Sequence, residues 1–454
     1  MAAGLDWAAL PSVIIVEIFS YLSKSDRVRT SSVCRRWRQC LFHPCLWNRV
    51  DYELCLSKRQ KSRFLSDRCG HFIREAIVKF NSHNIAEVRE CFRILKILSE
   101  NKNIQSFALQ PTSCHIEWPE SQPMLYDRYL ESIEAIIKSS RKLKHLSFGC
   151  VEELLDQSDR IVELLARNHA NTLESLHIST VKEDSENYEI VDMDVNDFDL
   201  FKNLQSLSID YDHLSNDLLK NFIDCRKAKL LHLCIHVHGV HPQHEKITND
   251  TWRMLRNHCP DLEVTLNLIH SFDGTDALLD ILQSSMPLAN YRQFFCSNIN
   301  LAAIDFISTH FGTTLKSFHI IDGYNAGSPN QYTSDSDEDP FVMLSWRCPK
   351  LEMFTLISYE IADNDVIAIA RLRGEKLWKF EIPLNCIYSM LEDEDGVWIG
   401  HGCVDQSFRQ QVCDSLKREW KPLSDTDLPL AVFDVQADAE KAYMSILHRD
   451  QMPL

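Results

Sequence analysis

The side chains with chemical potential in this sequence are histidines and serines that recur at every second position inside short apolar runs. Each run reads apolar, two others, apolar, one other, apolar. In an extended strand the residues between the apolar ones point to the opposite face. They can be written as two rows: Ser106, His145, Ser175, Ser206, His232, Ser317, Met353 and Lys379, then Ala108, Ser147, His177, Ser208, Cys234, His319, Thr355 and Glu381. Metal binding would fall to His145, His177, His232, His236 and His319. Neighbouring strands about 4.8 Å apart would put His145 beside His177. His232 would stand two strands further on and His319 beyond that, whereas a closed zinc site needs four ligands at about 2 Å. No metal and no other cofactor is expected. The serines lack a G-x-S-x-G elbow and no acidic pair flanks a histidine, so a hydrolase hidden in these rows has no specific residue to rest on. The rows read better as a recognition face, with His145, Ser147, Ser175, His177, Ser206, Ser208, His232 and His319 as the candidate substrate contacts.

The elements that must position these rows form a repeat. Eight apolar triplets run from Ile104-Phe107-Leu109 to Leu377-Phe380-Ile382, their first members 26 to 39 residues apart with one gap of 85. Two weaker strands, around 262–268 (with one residue out of step) and 288–295, fill that gap, and Arg74 to Phe80 supplies an early member, which makes about eleven units. Between them lie helical spacings such as Tyr129 to Ile137, Ile161 to Leu165 and Leu278 to Leu282. A strand-then-helix unit of this length is similar to a long, irregular leucine-rich repeat. Each unit closes its apolar face only against its neighbours, which implies an α/β solenoid, a horseshoe with parallel strands on the concave face and helices on the convex face.

Composition narrows the partners. At 454 residues, with 48 Lys and Arg against 65 Asp and Glu, the net charge is −17, so no electrostatic footprint for nucleic acid exists at whole-chain level. No run approaches eighteen apolar residues, so no membrane span is expected. Sixteen cysteines without a C-x-x-C pair or a signal peptide read as reduced, largely buried thiols. That usage implies the cytoplasm, the nucleus or both.

The N-terminal stretch is a different kind of object. Ile14, Ile15, Ile18, Phe19 and Leu22 recur at spacings of three and four, a helix with one apolar stripe, and Pro11 suits its first turn. Asp26 is expected to cap a second helix running to about Cys40 and stopped by Pro44. Three small helices in about forty residues bury too little surface to stand alone, so the stripe implies a partner. The pattern Leu10-Pro11, Ile18-Phe19-Ser20-Tyr21-Leu22, Val33-Cys34-Arg35-Arg36-Trp37 and Leu46-Trp47 resembles the F-box. Val13 departs from it, standing where the family often carries an acid. Cys259-Pro260-Asp261-Leu262 and Cys348-Pro349-Lys350-Leu351 likewise resemble the cysteine-containing repeats of F-box proteins.

The expected layout is an F-box over 5–50, a linker over 51–70, the solenoid over 71–385 and a tail over 386–454. The acidic stretch 323–340, with Ser334 and Ser336 as phosphorylation candidates, is expected as an excursion with nothing apolar to bury, and 182–199 as a second acidic insert. The tail, with helices near 408–420 and 438–447, either caps the last repeat or reaches back over the concave face.

What the resemblance implies is a non-catalytic substrate receptor of a Skp–cullin–F-box ubiquitin ligase. The F-box would dock on a Skp-type adaptor, which joins a cullin and a RING subunit, and the repeats would hold a protein substrate. Leu10, Pro11, Ile14, Ile15, Ile18, Phe19, Leu22, Val33, Trp37, Leu46 and Trp47 divide between the F-box core and the adaptor interface, in a ratio that sequence leaves open. The alternatives are an adaptor-bound scaffold acting without a cullin, and the concave-face hydrolase.

Overall fold

The computed structural model of the chain describes residues 7–452 apart from 120–123, 183, 185–192, 225, 333–337, 394–395 and 403. Ser334 and Ser336, and most of the 182–199 insert, lie outside these residues. Three short helices open the chain, α1 (Ser12–Ser20), α2 (Lys24–Ser31) and α3 (Arg35–Cys40). The cap of α2 is Ser23, not Asp26: its hydroxyl accepts from the Asp26 amide at 3.2 Å. Nor does α2 run on to Cys40. The hydroxyls of Ser31 and Ser32 donate to the carbonyls of Val28 and Arg29 at 2.7 and 2.5 Å, closing the helix with local side-chain bonds.

The solenoid strands are β1 (Arg49–Glu53), β2 (Glu75–Phe80), β3 (Ser106–Pro111), β4 (His145–Ser147), β5 (Ser175–His177), β6 (Ser206–Asp210), β7 (His232–Val237), β8 (Glu263–Ile269), β9 (Leu288–Phe294), β10 (Ser317–Ile321) and β11 (Met353–Ile357). A short β12 (Ile361–Ala362) precedes the last of them, β13 (Lys379–Glu381). β1 to β11 and β13 form one twelve-stranded sheet in sequence order, every pairing parallel. Parallel neighbours need a crossover, and helices such as Ile85–Leu98 and Leu125–Ser139 supply it on the other face. Aliphatic and aromatic side chains of each strand stack on those of the next, as Tyr291, Phe318 and Phe354 do with ring centroids 5.3 and 5.8 Å apart.

Two further expectations change along the sheet. The segment 51–70 is no linker: β1 pairs with β2 from Arg49↔Glu75 to Glu53↔Lys79, and the helix Arg59–Cys69 follows it. Val50, Tyr52 and Leu54 alternate into the core, a signal hidden by the charged Arg49, Asp51 and Glu53 between them. The helical N-terminal unit therefore packs directly on the first repeat, with the Phe42 and Phe64 rings edge-to-face at 5.5 Å. The second change is in register. A bulge between β8 and β9 pairs Val264 with Leu288 but Thr265 with Asn290. Beyond the bulge the register carries Ile235 through Leu266 and Tyr291 to Phe318, two places from the triplet alignment, so His319 continues the row of His236, Asn267 and Arg292 and not the row of His177 and Cys234.

The stretch after β10 also differs from the expected excursion. Tyr324 donates its amide to the Val432 carbonyl at 2.7 Å, and the Tyr332 ring packs edge-on to Phe341 at 5.3 Å. Both tyrosines precede the acidic run and supply the apolar surface that anchors this stretch.

The tail does both things open to it. Strands β14 (Ile387–Asp393) and β15 (Gly396–His401) form a hairpin, and β14 pairs with β12. Trp420 then stacks on Phe380 at 5.5 Å and donates its indole N–H to the Phe380 carbonyl at 2.8 Å, closing the last repeat. From Leu428 onward the chain turns back across the strand ends on the concave side, finishing in the helix Glu440–Asp450.

Candidate functional site

Two surfaces were candidates, and the structure treats their residues differently. In the N-terminal unit Ile15 is 0% exposed while its neighbour Ile14 is 45% exposed. Phe19, Trp37, Leu46 and Trp47 are buried with Ile15, and Leu10, Ile18 and Leu22 are half-buried. Pro11 and Val33 face solvent with Ile14, Val33 at 69%. The core is an aromatic pair, Phe19 against Trp37 with rings edge-to-face at 5.6 Å, and the Trp37 indole donates to the Trp7 carbonyl at 3.1 Å. Arg27, unmarked by any apolar pattern, fixes the unit. Its guanidinium donates to the carbonyls of Phe19, Leu22 and Leu46 at 2.8, 3.0 and 2.7 Å, satisfying the acceptors left open where α1 ends. Apolar side chains also remain outside, among charged ones such as Glu17, Arg35 and Arg36: Val13, Tyr21 and Val28 join Ile14 and Val33 among the exposed side chains.

The concave rows are not an open face. His145, Ser147, Ser175, His177, Ser206, Ser208 and His319 are buried, and His232 is half-buried. The C-terminal helix lies over the first of them: Ser147 donates to the Gln451 side-chain carbonyl at 2.8 Å, and the Gln451 amide reaches Ser179 at 3.2 Å. His448 donates to the Gly149 carbonyl at 3.2 Å, where a Cβ would meet the Leu109 carbonyl at 2.5 Å and φ is +70°, so only glycine fits. The Glu440 carboxylate accepts the Cys114 amide at 2.7 Å, Tyr443 stacks on Phe294 at 5.0 Å and bonds His270 at 3.1 Å, and Arg292 forks onto Asp450. Burial pushes the imidazoles of His145, His270 and His448 down to about 4.

The serines and histidines bond one another. His177 lies between Ser175 and Ser208, 2.6 Å from each hydroxyl, and burial holds it well below the usual imidazole range. All three side chains are sealed from solvent, so this contact holds neighbouring strands together and offers a substrate no entry. The residues apt for metal binding are Asp210, His236 and His238, whose ligand atoms lie within 4.8 Å of one another. The Asp210 carboxylate already accepts the Thr180 amide and hydroxyl at 2.8 and 2.6 Å, His236 donates to the Thr180 carbonyl at 2.7 Å, and the Lys182 ammonium stands 3.7 Å away. Burial alone would raise the Asp210 carboxyl. Lys182 and the imidazoles of His238 and His236 outweigh it and hold the group below its usual value. Sequence reasoning placed Lys182 in an acidic insert, since nothing local marks a lysine whose partner is 28 residues away.

What stays open on the concave side is a cleft of about 700 Å³ between the later strands and the end of the C-terminal helix. Ser206, His232 and His319 reach it, while His145, Ser147, Ser175, His177 and Ser208 do not. Trp378, 54% exposed, Arg449 and Met452 also line it. None of these three belongs to the predicted rows.

A family model described as F-box-like matches residues 7–53. The chain is 28% identical over 496 residues to F-box only protein 33 of Homo sapiens, covering 95% of this chain and 85% of that one. The Mus musculus protein of the same name gives 28% over 501 residues. F-box/LRR-repeat protein 21 of Ovis aries is 26% identical over 435 residues, covering 93% of this chain and 90% of its own length. Among the described residues no helix is long and apolar enough to cross a membrane. The buried Phe19–Trp37 core, the twelve parallel strands and these relatives together match the chain to F-box proteins with leucine-rich-type repeats.

Proposed function

We propose that this chain is the substrate-receptor subunit of an SCF-type ubiquitin ligase, in which the F-box docks on a Skp-type adaptor and the concave side of the repeats holds the protein to be modified. The observation that carries it is the apolar surface left on the F-box after its own core is complete: Ile14 and Val33, with Val13, Tyr21 and Val28, face water around a buried Ile15–Phe19–Trp37 centre. Single exposed apolar residues are ordinary, but several on one unit of about forty residues fit a surface covered by another protein. The adaptor in turn joins a cullin and a RING subunit, and the covalent chemistry belongs to the ubiquitin-conjugating partner. The receptor contributes proximity, raising the effective concentration of substrate lysines at the transfer site. Such a protein works in the cytoplasm or nucleus.

Affinity purification of the full chain beside an Ile14→Asp, Val33→Asp variant tests this. Wild type should recover adaptor, cullin and RING subunit together, and the variant should lose all three while melting as wild type does. Recovery of adaptor without cullin would instead support an adaptor-bound scaffold and remove the ligase assignment.

A further inference from the structure

The cleft between the later strands and the end of the C-terminal helix carries an unbalanced charge. Its charged side chains come in pairs. Arg292 is bound by Asp450, Lys379 by Glu381 at 2.9 Å, and Glu263 by Lys316. Arg449 is the exception: it is exposed, lines the cleft, and has no carboxylate beside it among the described residues. The imidazoles add no charge near neutral pH. Burial lowers both His232 and His319, and His319 is lowered further by Arg292, Lys379 and Arg449, which line the same cleft. Two buried nitrogens there, Arg292 Nε and His319 Nδ1, have no hydrogen-bond partner among the described residues. Beside this cationic end stands an apolar wall of Trp378, Met353 and Ile446. In a chain of net charge −17, a cleft with one surplus cation and spare donors selects for an anion.

We infer that this cleft binds an extended segment of a partner protein through an aspartate or glutamate carboxylate set next to a large apolar side chain, the carboxylate on Arg449 and the apolar residue on Trp378. One uncompensated cation matches one negative charge. A carboxylate supplies that, whereas a phosphate near neutral pH carries closer to two. The inference rests on the receptor reading above and names the feature of the substrate that the repeats would recognise. It also gives the tail a role. By covering the early strands and contributing Arg449 and Asp450, the C-terminal helix reduces a long concave face to one chemically defined opening.

The test is panning of a random twelve-residue phage-displayed peptide library on the full chain, then fluorescence anisotropy with the synthetic consensus peptide. Selected peptides should carry Asp or Glu next to Leu, Met or an aromatic residue. Changing that acid to its amide in the peptide, or Arg449→Glu in the protein, should each weaken binding at least tenfold, and combining the two should add little. Trp378→Ala should weaken it severalfold. Both positions are exposed, so unchanged melting and unchanged adaptor capture by Arg449→Glu verify that the protein is intact. A consensus without an acid, or affinity indifferent to Arg449→Glu, overturns the inference, and tighter binding of a phosphoserine version overturns the carboxylate in favour of phosphate. Failure of the wild-type chain to capture adaptor while the peptide still binds would sink the receptor reading and leave the cleft assignment standing.

Discussion

Ile14 and Ile15 are chemically identical neighbours with opposite surroundings, and that makes them the sharpest test of the adaptor surface. Ile14 is 45% exposed, which for an isoleucine leaves on the order of 80 Å² of apolar surface; covering it is worth about 2 kcal/mol at roughly 25 cal/mol per Å². Truncation to alanine removes most of that surface from the interface but little from the fold, so Ile14→Ala should weaken adaptor binding by roughly 10- to 30-fold. Val33, at 69% exposed, should behave the same way, and the pair should approach multiplicative loss. Ile15 is fully buried, and Ile15→Ala should cost roughly 2 to 5 kcal/mol of stability. In a unit this small, that unfolds the F-box. The assay is titration of purified Skp-type adaptor onto each variant by calorimetry, with thermal melting of the same samples. If the Ile14→Ala, Val33→Ala double variant binds within twofold of wild type and melts normally, the exposed apolar residues are not the docking surface.

Tyr443→Ala removes a buried ring stacked on Phe294 and a hydrogen bond to His270. The expected cost is about 3 to 5 kcal/mol, read as protease cleavage within 430–452 at a temperature where the solenoid still melts cooperatively. Asp210→Ala removes the buried carboxylate that faces the Lys182 ammonium and accepts the Thr180 amide and hydroxyl and should destabilise by about 3 to 5 kcal/mol, seen as a lower denaturant midpoint. Acid should release the tail. His145, His270 and His448 titrate near 4 when docked, against about 6.5 when free, so the undocked state binds protons first. Docking is then favoured above pH 6.5 and weakens as pH falls toward 4, by at most about 3 kcal/mol for His448, the imidazole carried by the helix itself. Hydrogen exchange of the helix Glu440–Asp450 should rise over that window, and a flat profile would refute the account.

The limits of sequence reasoning show at particular residues. The apolar triplets located most strands because a stacked unit must repeat its buried positions. β1 was missed because Arg49, Asp51 and Glu53 mask the alternation of Val50, Tyr52 and Leu54, and the His319 row was misassigned because the apolar triplets repeat without recording that β10 sits two places along from β7 once β8 and β9 are threaded between them. Arg27 and Lys182 were unreadable for another reason: their partners are carbonyls and a carboxylate brought close only by folding.

Sequence alone determined that the chain begins with a small helical unit too apolar to stand by itself and continues as a strand–helix repeat, because both conclusions follow from spacing, which is local. It also determined which polar residues fall between the apolar strand positions. Only the tertiary structure decided their fate. The tail returns from the last repeat and lays His448 and Gln451 over the early strands and Tyr443 over the ends of β8 and β9, turning most of the predicted recognition face into an internal interface. Such long-range packing is decided by the surface area and the polar partners that two distant segments can bury together, and no local pattern records it.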